Sequence, residues 1–218
     1  MQKDTHASIQ EDAGVISGRK VMITIQMVLA AQPTPVAATA EDDAELVKRA
    51  VNDLSVFTEL YHRHADRVYR YLLIRVSNVH DAQDLTSQTF LAAMENLHRY
   101  RGRSPFGAWL LGIARHKSAD HFRQRRPEET IDAVEYPSGD DSPDDIVSQQ
   151  LQMEQVARKL RAISPDRAEA ISLRIFGGLE VSEVALMMGK SEASIRMLVF
   201  RGLRDLQEQL NPEVEVGS

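Results

Sequence analysis

The sequence predicts an all-α protein of two small helical units joined by an acidic linker. Apolar residues recur at three- and four-residue intervals, no window sustains strand alternation, and charge is partitioned sharply along the chain. The net charge is −6 over 218 residues, yet residues 44–126 carry fourteen cations against eight acids. Residues 127–157 carry nine acids and no base, and residues 158–210 nine cations against seven acids. A basic unit, an acidic strap and a weakly basic unit argue for modular binding, not for one pocket.

The first 40 residues read as a poorly ordered extension. Within it Val21–Ala31 (VMITIQMVLAA) is the one candidate export or membrane segment. It falls well short of the roughly 20 apolar residues a spanning helix needs. Acids upstream and the interrupting Gln26 argue against a signal peptide, so membrane insertion is not expected and a cytoplasmic location is. A disordered tail, or a start of translation at Met22 or Met27, accounts for it better. Pro33 and Pro35 mark a linker before the folded part.

Helices follow over Glu41–Asn52, Ser55–Val76 and Asp81–His98. Examples of their apolar repeats are Phe57, Leu60, Tyr61, His64 and Val68, then Leu85, Thr89 and Leu97. Ser104-Pro105 is a start signal, Ser as cap and Pro in the first turn, for a helix ending before Pro127. Residues 41–126 thus form the first unit. Residues 127–150, with Pro127, Pro137, Gly139 and Pro143 among eight acids and no base, cannot bury enough apolar surface to order themselves and form a linker. Leu151–Ile163, Pro165–Phe176, Val181–Met188 and Glu192 to about Gln209 compose a second unit over 151–212, with 213–218 as a tail.

Two stretches carry chemistry. The 28 residues from Arg99 to Arg126 hold eight cations opposed only by Asp120, interleaved with Tyr100, Phe106, Trp109 and Phe122. Cations neutralise phosphates and aromatic faces accept unstacked bases, as a single-stranded or melting nucleic acid requires. A solvated helix face over a few core aromatics would leave the same composition. The second stretch is a helix-turn-helix over Leu179–Leu210. Ala185 is small where the helices cross, Gly189 suits the positive φ of the turn, Ile195 packs beneath the first helix, and Ser191 caps the second. Helix pairs of this outline also occur in proteins that never touch DNA. Glu180, where the first helix needs a cap, is a poor one.

Other chemistries are poorly served. The chain has no Cys, which excludes thiolate metal sites, disulfides and a cysteine nucleophile. His62 and His64, or His116 and His121, have spacings that point them apart on a helix, and no carboxylate joins either pair at a ligand spacing. Neither a phosphate-binding Gly-rich loop nor a G-x-S-x-G elbow occurs, so no cofactor and no enzymatic activity are expected.

Three ordered segments carry a family resemblance. Asp81–Leu91 (DAQDLTSQTFL) looks like a "DAEDLTQETFL" segment, Phe106–Arg115 (FGAWLLGIAR) is similar to "FRAWLxxIAR", and Leu179 with Glu183-Val184-Ala185, Gly189 and Ser191 looks like "LSYEEIAxxLGIS". In this order they resemble the bacterial RNA polymerase sigma factors of the extracytoplasmic-function group, over about residues 44–210. The resemblance implies a subunit that binds core RNA polymerase, at the coiled-coil of its largest subunit and at the flap, and recognises promoter DNA. Asp84, Gln88 and Phe90 would be polymerase-binding. Arg99, Arg101, Arg103, Ser104, Trp109, Arg115, Lys117, Arg123 and Arg126 would meet the −10 element. Trp109 and Phe106 pack beneath the loop more readily than they stack on bases. Lys190, Ser191, Ser194, Arg196, Met197, Arg201 and Arg204 would meet the −35 element, with Ser194, Arg196 and Met197 as base readers. Met197 and Phe200 lie off the apolar face of their helix, where they could touch thymine methyls or a protein partner. The acidic strap would thread polymerase channels otherwise holding RNA, or act as an inert tether. An anti-sigma factor is implied as inhibitory partner. The alternative is a free-standing helix-turn-helix regulator.

Overall fold

The computed structural model describes residues 38–125, 153 and 155–210. The linker 127–150, the segment Val21–Ala31 and Arg126 lie outside the described residues. Helices α1 (Ala38–Ala50), α2 (Phe57–Val76), α3 (Val79–Glu95) and α4 (Phe106–Arg125) make up the first group. The second comprises α5 (155–161), α6 (Pro165–Ile171), α7 (Val181–Met188) and α8 (Glu192–Leu210). No strand occurs among the described residues.

Local sequence explains the boundaries. Ser77 takes a left-handed φ of 56° and its N–H closes on the Leu73 carbonyl at 2.8 Å, which stops α2. Asn78 follows at once as the cap of α3, its side-chain oxygen accepting from the Asp81 N–H at 2.9 Å. Helix α4 begins one residue later than the Ser-Pro signal predicts, because the Pro105 carbonyl accepts the first turn's N–H groups. The expected continuous helix from Pro165 to Phe176 is interrupted: Ser172–Phe176 widens into a π turn, with Gly177 N–H donating to the Ser172 carbonyl at 2.8 Å.

Helix α2 is the hub. Leu60, Val68, Tyr71, Leu72, Leu73 and Ile74 are buried on it, facing α1, α3 and α4 and also the π turn of the second group. The two groups therefore share one hydrophobic cluster running from Val47 to Leu206. Direct packing of this kind is beyond what helical periodicity predicts. At the first group's upper edge Asp43 of α1, itself buried, accepts from His64 Nε2 at 2.8 Å and from an Arg63 Nη1 at 3.3 Å. That assigns His64 to packing and hydrogen bonding.

In the second group α6 lies across α8 at Gly202. A methyl there would stand 2.6 Å from Ile171 Cδ1 and 3.1 Å from Arg167 Cβ, and Ile171 is itself buried. Gly202→Ala should therefore lower unfolding free energy by up to about 2 kcal/mol in a denaturant titration, overpacking outweighing the roughly 1 kcal/mol of helix propensity that Ala adds. A stabilised variant would show that the crossing is looser than described.

Candidate nucleic-acid interface

The arginine-rich segment leaves α3 through a 3₁₀ turn at Leu97–Arg99 and re-enters helix at Phe106. Two devices shape the loop between. Gly102 takes φ +66°, and the Tyr100 hydroxyl donates to the Ser104 carbonyl at 2.6 Å, tying the loop's two ends together. Burial of the Tyr100 ring raises its pKa, which keeps the phenol protonated as that donor. Beneath the loop the rings form a platform. Tyr100 lies 5.6 Å from Phe106 and 5.4 Å from Trp109, and Phe106 lies 5.5 Å from Trp109. Phe106 is wholly buried while Trp109 keeps part of its surface. The aromatics thus support the loop, and Tyr100 and Trp109, both partly exposed, keep surface for other contacts.

On that support Arg99, Arg101 and Arg103 stand exposed, without a carboxylate partner among the described residues. Lys117 is half-buried on α4. The remaining candidates of this segment behave differently. Arg123 pairs with Asp120 one turn earlier. Arg115 Nε donates to Glu169 of α6 at 3.0 Å, so this guanidinium faces the second group and not open solvent alone.

The second face is the helix pair α7–α8. Gly189 takes the left-handed turn at φ 64°, and the Lys190 N–H closes it on the Ala185 carbonyl at 3.0 Å. Ser191 Oγ accepts from the Ser194 N–H at 3.2 Å, capping α8 as its sequence position requires. At α7 the weak cap Glu180 is offset by Glu183, whose carboxylate accepts the Glu180 N–H at 2.7 Å. Val184, Ala185 and Ile195 are buried at the joint of the pair, and Leu206 is buried further along α8.

Outward from this core α8 presents Ser194, Arg196, Met197, Arg201 and Arg204. Their charges are not equally free. Lys190 pairs with Asp166 at 3.0 Å, Arg196 with Glu192 at 2.7 Å and Arg204 with Glu208 at 2.8 Å. Met197 is 48% and Phe200 65% exposed, as their position off the apolar face predicts. Leu186 of α7, 81% exposed, went unremarked in the sequence because it falls within an apolar run.

The third set lies on α3. Asp84 and Gln88 share a face, Gln88 Nε2 donating to Asp84 Oδ2 at 2.8 Å. Phe90 does not join them: it is 4% exposed, with its ring 4.7 Å from Tyr61 and 6.4 Å from Phe57. The expectation that Phe90 itself touches a partner is corrected to a core role, because its helical position turns it toward α2. Tyr61 and Leu91 are the exposed apolar residues on this side, Leu91 following Asp84 and Gln88 at helical spacing. Spacing separates the two: Leu91 falls three residues after Gln88 on its face, whereas Phe90 falls four after the buried Thr86.

Comparison with known proteins agrees with this layout. Residues 60–128 match Sigma-70 region 2 and residues 153–206 match Sigma-70, region 4. The ECF RNA polymerase sigma factor BldN of Streptomyces coelicolor is 39% identical over 76% of this chain, which spans 65% of that relative's length. The RNA polymerase sigma factor CarQ of Myxococcus xanthus is 32% identical over 73% of this chain and 92% of its own. The solved structure of CnrH in complex with the cytosolic domain of CnrY has the same fold, with a TM-score of 0.61 at 23% identity over 77% of this chain and 96% of that one. With both regions present in order and CarQ matched over nearly its whole length, the chain belongs to the extracytoplasmic-function group of the sigma-70 family of RNA polymerase sigma factors.

Proposed function

We propose that this chain is an alternative sigma subunit that carries core RNA polymerase to promoters, reads a −35 element with α8 and captures the opened −10 strand with the loop 99–104. The observation that carries this reading is the pairing of two exposed cationic surfaces of different character. One is a rigid loop of three unpaired arginines over an aromatic platform, suited to single-stranded DNA. The other is a capped helix with polar and basic side chains on its outer face, suited to a major groove. Asp84, Gln88 and Leu91 supply a mixed face for the largest-subunit coiled-coil, and the second unit meets the flap. The polymerase performs the chemistry; this subunit supplies address and strand opening, in the cytoplasm. No helix among the described residues is long and apolar enough to cross a membrane. An anti-sigma factor is the fitting inhibitor, since the relative CnrH is held by the cytosolic domain of CnrY.

Purified protein mixed with sigma-free core polymerase should yield promoter-specific run-off RNA. Tight sequence-specific binding by the isolated protein, with no such RNA, would favour a free-standing regulator.

Within that complex Arg196→Ala should weaken binding at one base step by roughly 1–3 kcal/mol. A uniform loss across promoter sequences would make Arg196 a phosphate contact. Removing Arg101 and Arg103 together should reduce the slope of log affinity against log salt, for a −10 single strand bound by the holoenzyme, by about 1.4. An unchanged slope would mean that neither arginine meets phosphate.

A further inference from the structure

Glu169 is the most unusual charge in the fold. It belongs to α6 of the second group, is 7% exposed, and every partner of its carboxylate comes from the first group. Arg75 Nη1 donates to Oε2 at 2.9 Å, Arg115 Nε to Oε1 at 3.0 Å, and the buried Tyr71 hydroxyl to Oε1 at 3.3 Å. A second latch lies nearby: the largely buried Arg67 donates from Nη2 to the Gly178 carbonyl at 2.9 Å. Both its neighbours are glycines by necessity. A methyl at Gly107 would stand 2.4 Å from Arg67 Nη1, and one at Gly178, which has φ +59°, 3.0 Å from Nη2. Beside them a methyl at Gly177 would stand 3.0 Å from Leu111 Cδ1, so the two groups meet at core density.

The chemistry of the Glu169 site is that of a phosphate contact. An anionic oxygen pair accepts from two guanidinium groups and a phenol, and one of those guanidinium groups, Arg115, is the −10 candidate that the fold withholds. Arg115 also donates from Nη1 to the Met187 carbonyl at the end of α7, at 3.5 Å, so the same side chain holds the helix-turn-helix in place. With Nε on Glu169 and Nη1 on Met187, only Nη2 is left to point at a DNA phosphate, so a bidentate grip on DNA requires Glu169 to let go.

We propose that, in the free chain, Glu169 acts as an internal stand-in for a DNA phosphate: it clamps the second unit against the first and must be released before Arg115 grips DNA. The inference rests on the assignment of Arg115 to the −10 strand, and the clamp is measurable without polymerase. On opening, the buried carboxylate gains water, whereas removing its charge from the closed state leaves two partly exposed guanidinium groups facing each other without the anion between them. Charge at residue 169 therefore sets the balance.

The test uses the full chain, whose lack of Cys allows two cysteines to be placed at the exposed Glu95 and Gln207 for inter-probe distance measurement. The parent should give one narrow distance distribution. Glu169→Arg should give a broad distribution reaching longer distances with unchanged helical circular dichroism, and the parent's narrow distribution retained in that variant overturns the clamp. Should Glu169→Arg lose helical content, Glu169→Gln decides: it preserves shape without repulsion and should still raise the long-distance fraction several-fold, and an unaltered distribution overturns the proposal. Glu169→Gln should also bind a −10 single strand several-fold more tightly than the parent, a gain that Arg115→Ala cancels. Equal affinity in parent and Glu169→Gln overturns the phosphate stand-in. Failure of run-off transcription would count against the sigma reading and leave the distances unaffected.

Discussion

Four consecutive residues of α2, Tyr71 through Ile74, are buried, and a helix can bury four in a row only when neighbours surround it on every side. That constraint organises the molecule. Helices α1, α3 and α4 cover one side of α2, and the π turn after α6 covers the rest. The loop 99–104 is rigid because Phe106, its buried base, is wedged against His64 of α2 with ring centroids 5.5 Å apart. The helix-turn-helix is oriented because Tyr71, Arg67 and Arg75 of the same helix reach the second group. Both candidate DNA surfaces thus take their position from one central helix.

The cations divide into three energetic classes, and the division follows burial. Arg99, Arg101 and Arg103 are exposed and unpaired, so a phosphate meets them with little to displace. Arg196 and Arg204 are held by acids four residues away on their own helix, with both partners well exposed. Such pairs contribute at most about 1 kcal/mol and yield easily to a stronger anion. The bond that Arg204 Nε donates to Glu208 raises the pKa of Arg204. Arg115 differs because its acid is buried between helices, where an unpaired charge is costly. Only there does access to DNA require the fold to rearrange.

Much of this was legible in the sequence. Helix positions follow from three- and four-residue repeats, and the Gly189 turn and the Ser191 cap follow from residues whose local preferences suit them. The aromatic support under the loop was legible as a composition, with Trp109 and Phe106 read as packing. The core position of Phe90 was legible too, since it lies four residues after Thr86 and off the face that Asp84 and Gln88 share. Two things were not. A π turn leaves no composition signal in Ser172–Phe176. Above all, Glu169 reads as one acid in a short polar helix, because its partners Tyr71, Arg75 and Arg115 are distant in sequence and only the packing of the two groups brings them together.

The central claim is that two surfaces on one chain address two separate promoter elements while the chain rides on polymerase. A DNA-cleaving iron chelate attached at Arg103→Cys, and separately at Ala193→Cys, would map each surface in the assembled promoter complex. The account predicts cuts clustered at the −10 element from the first position and at the −35 element from the second. Cuts from both positions within one element, or from neither, would contradict it.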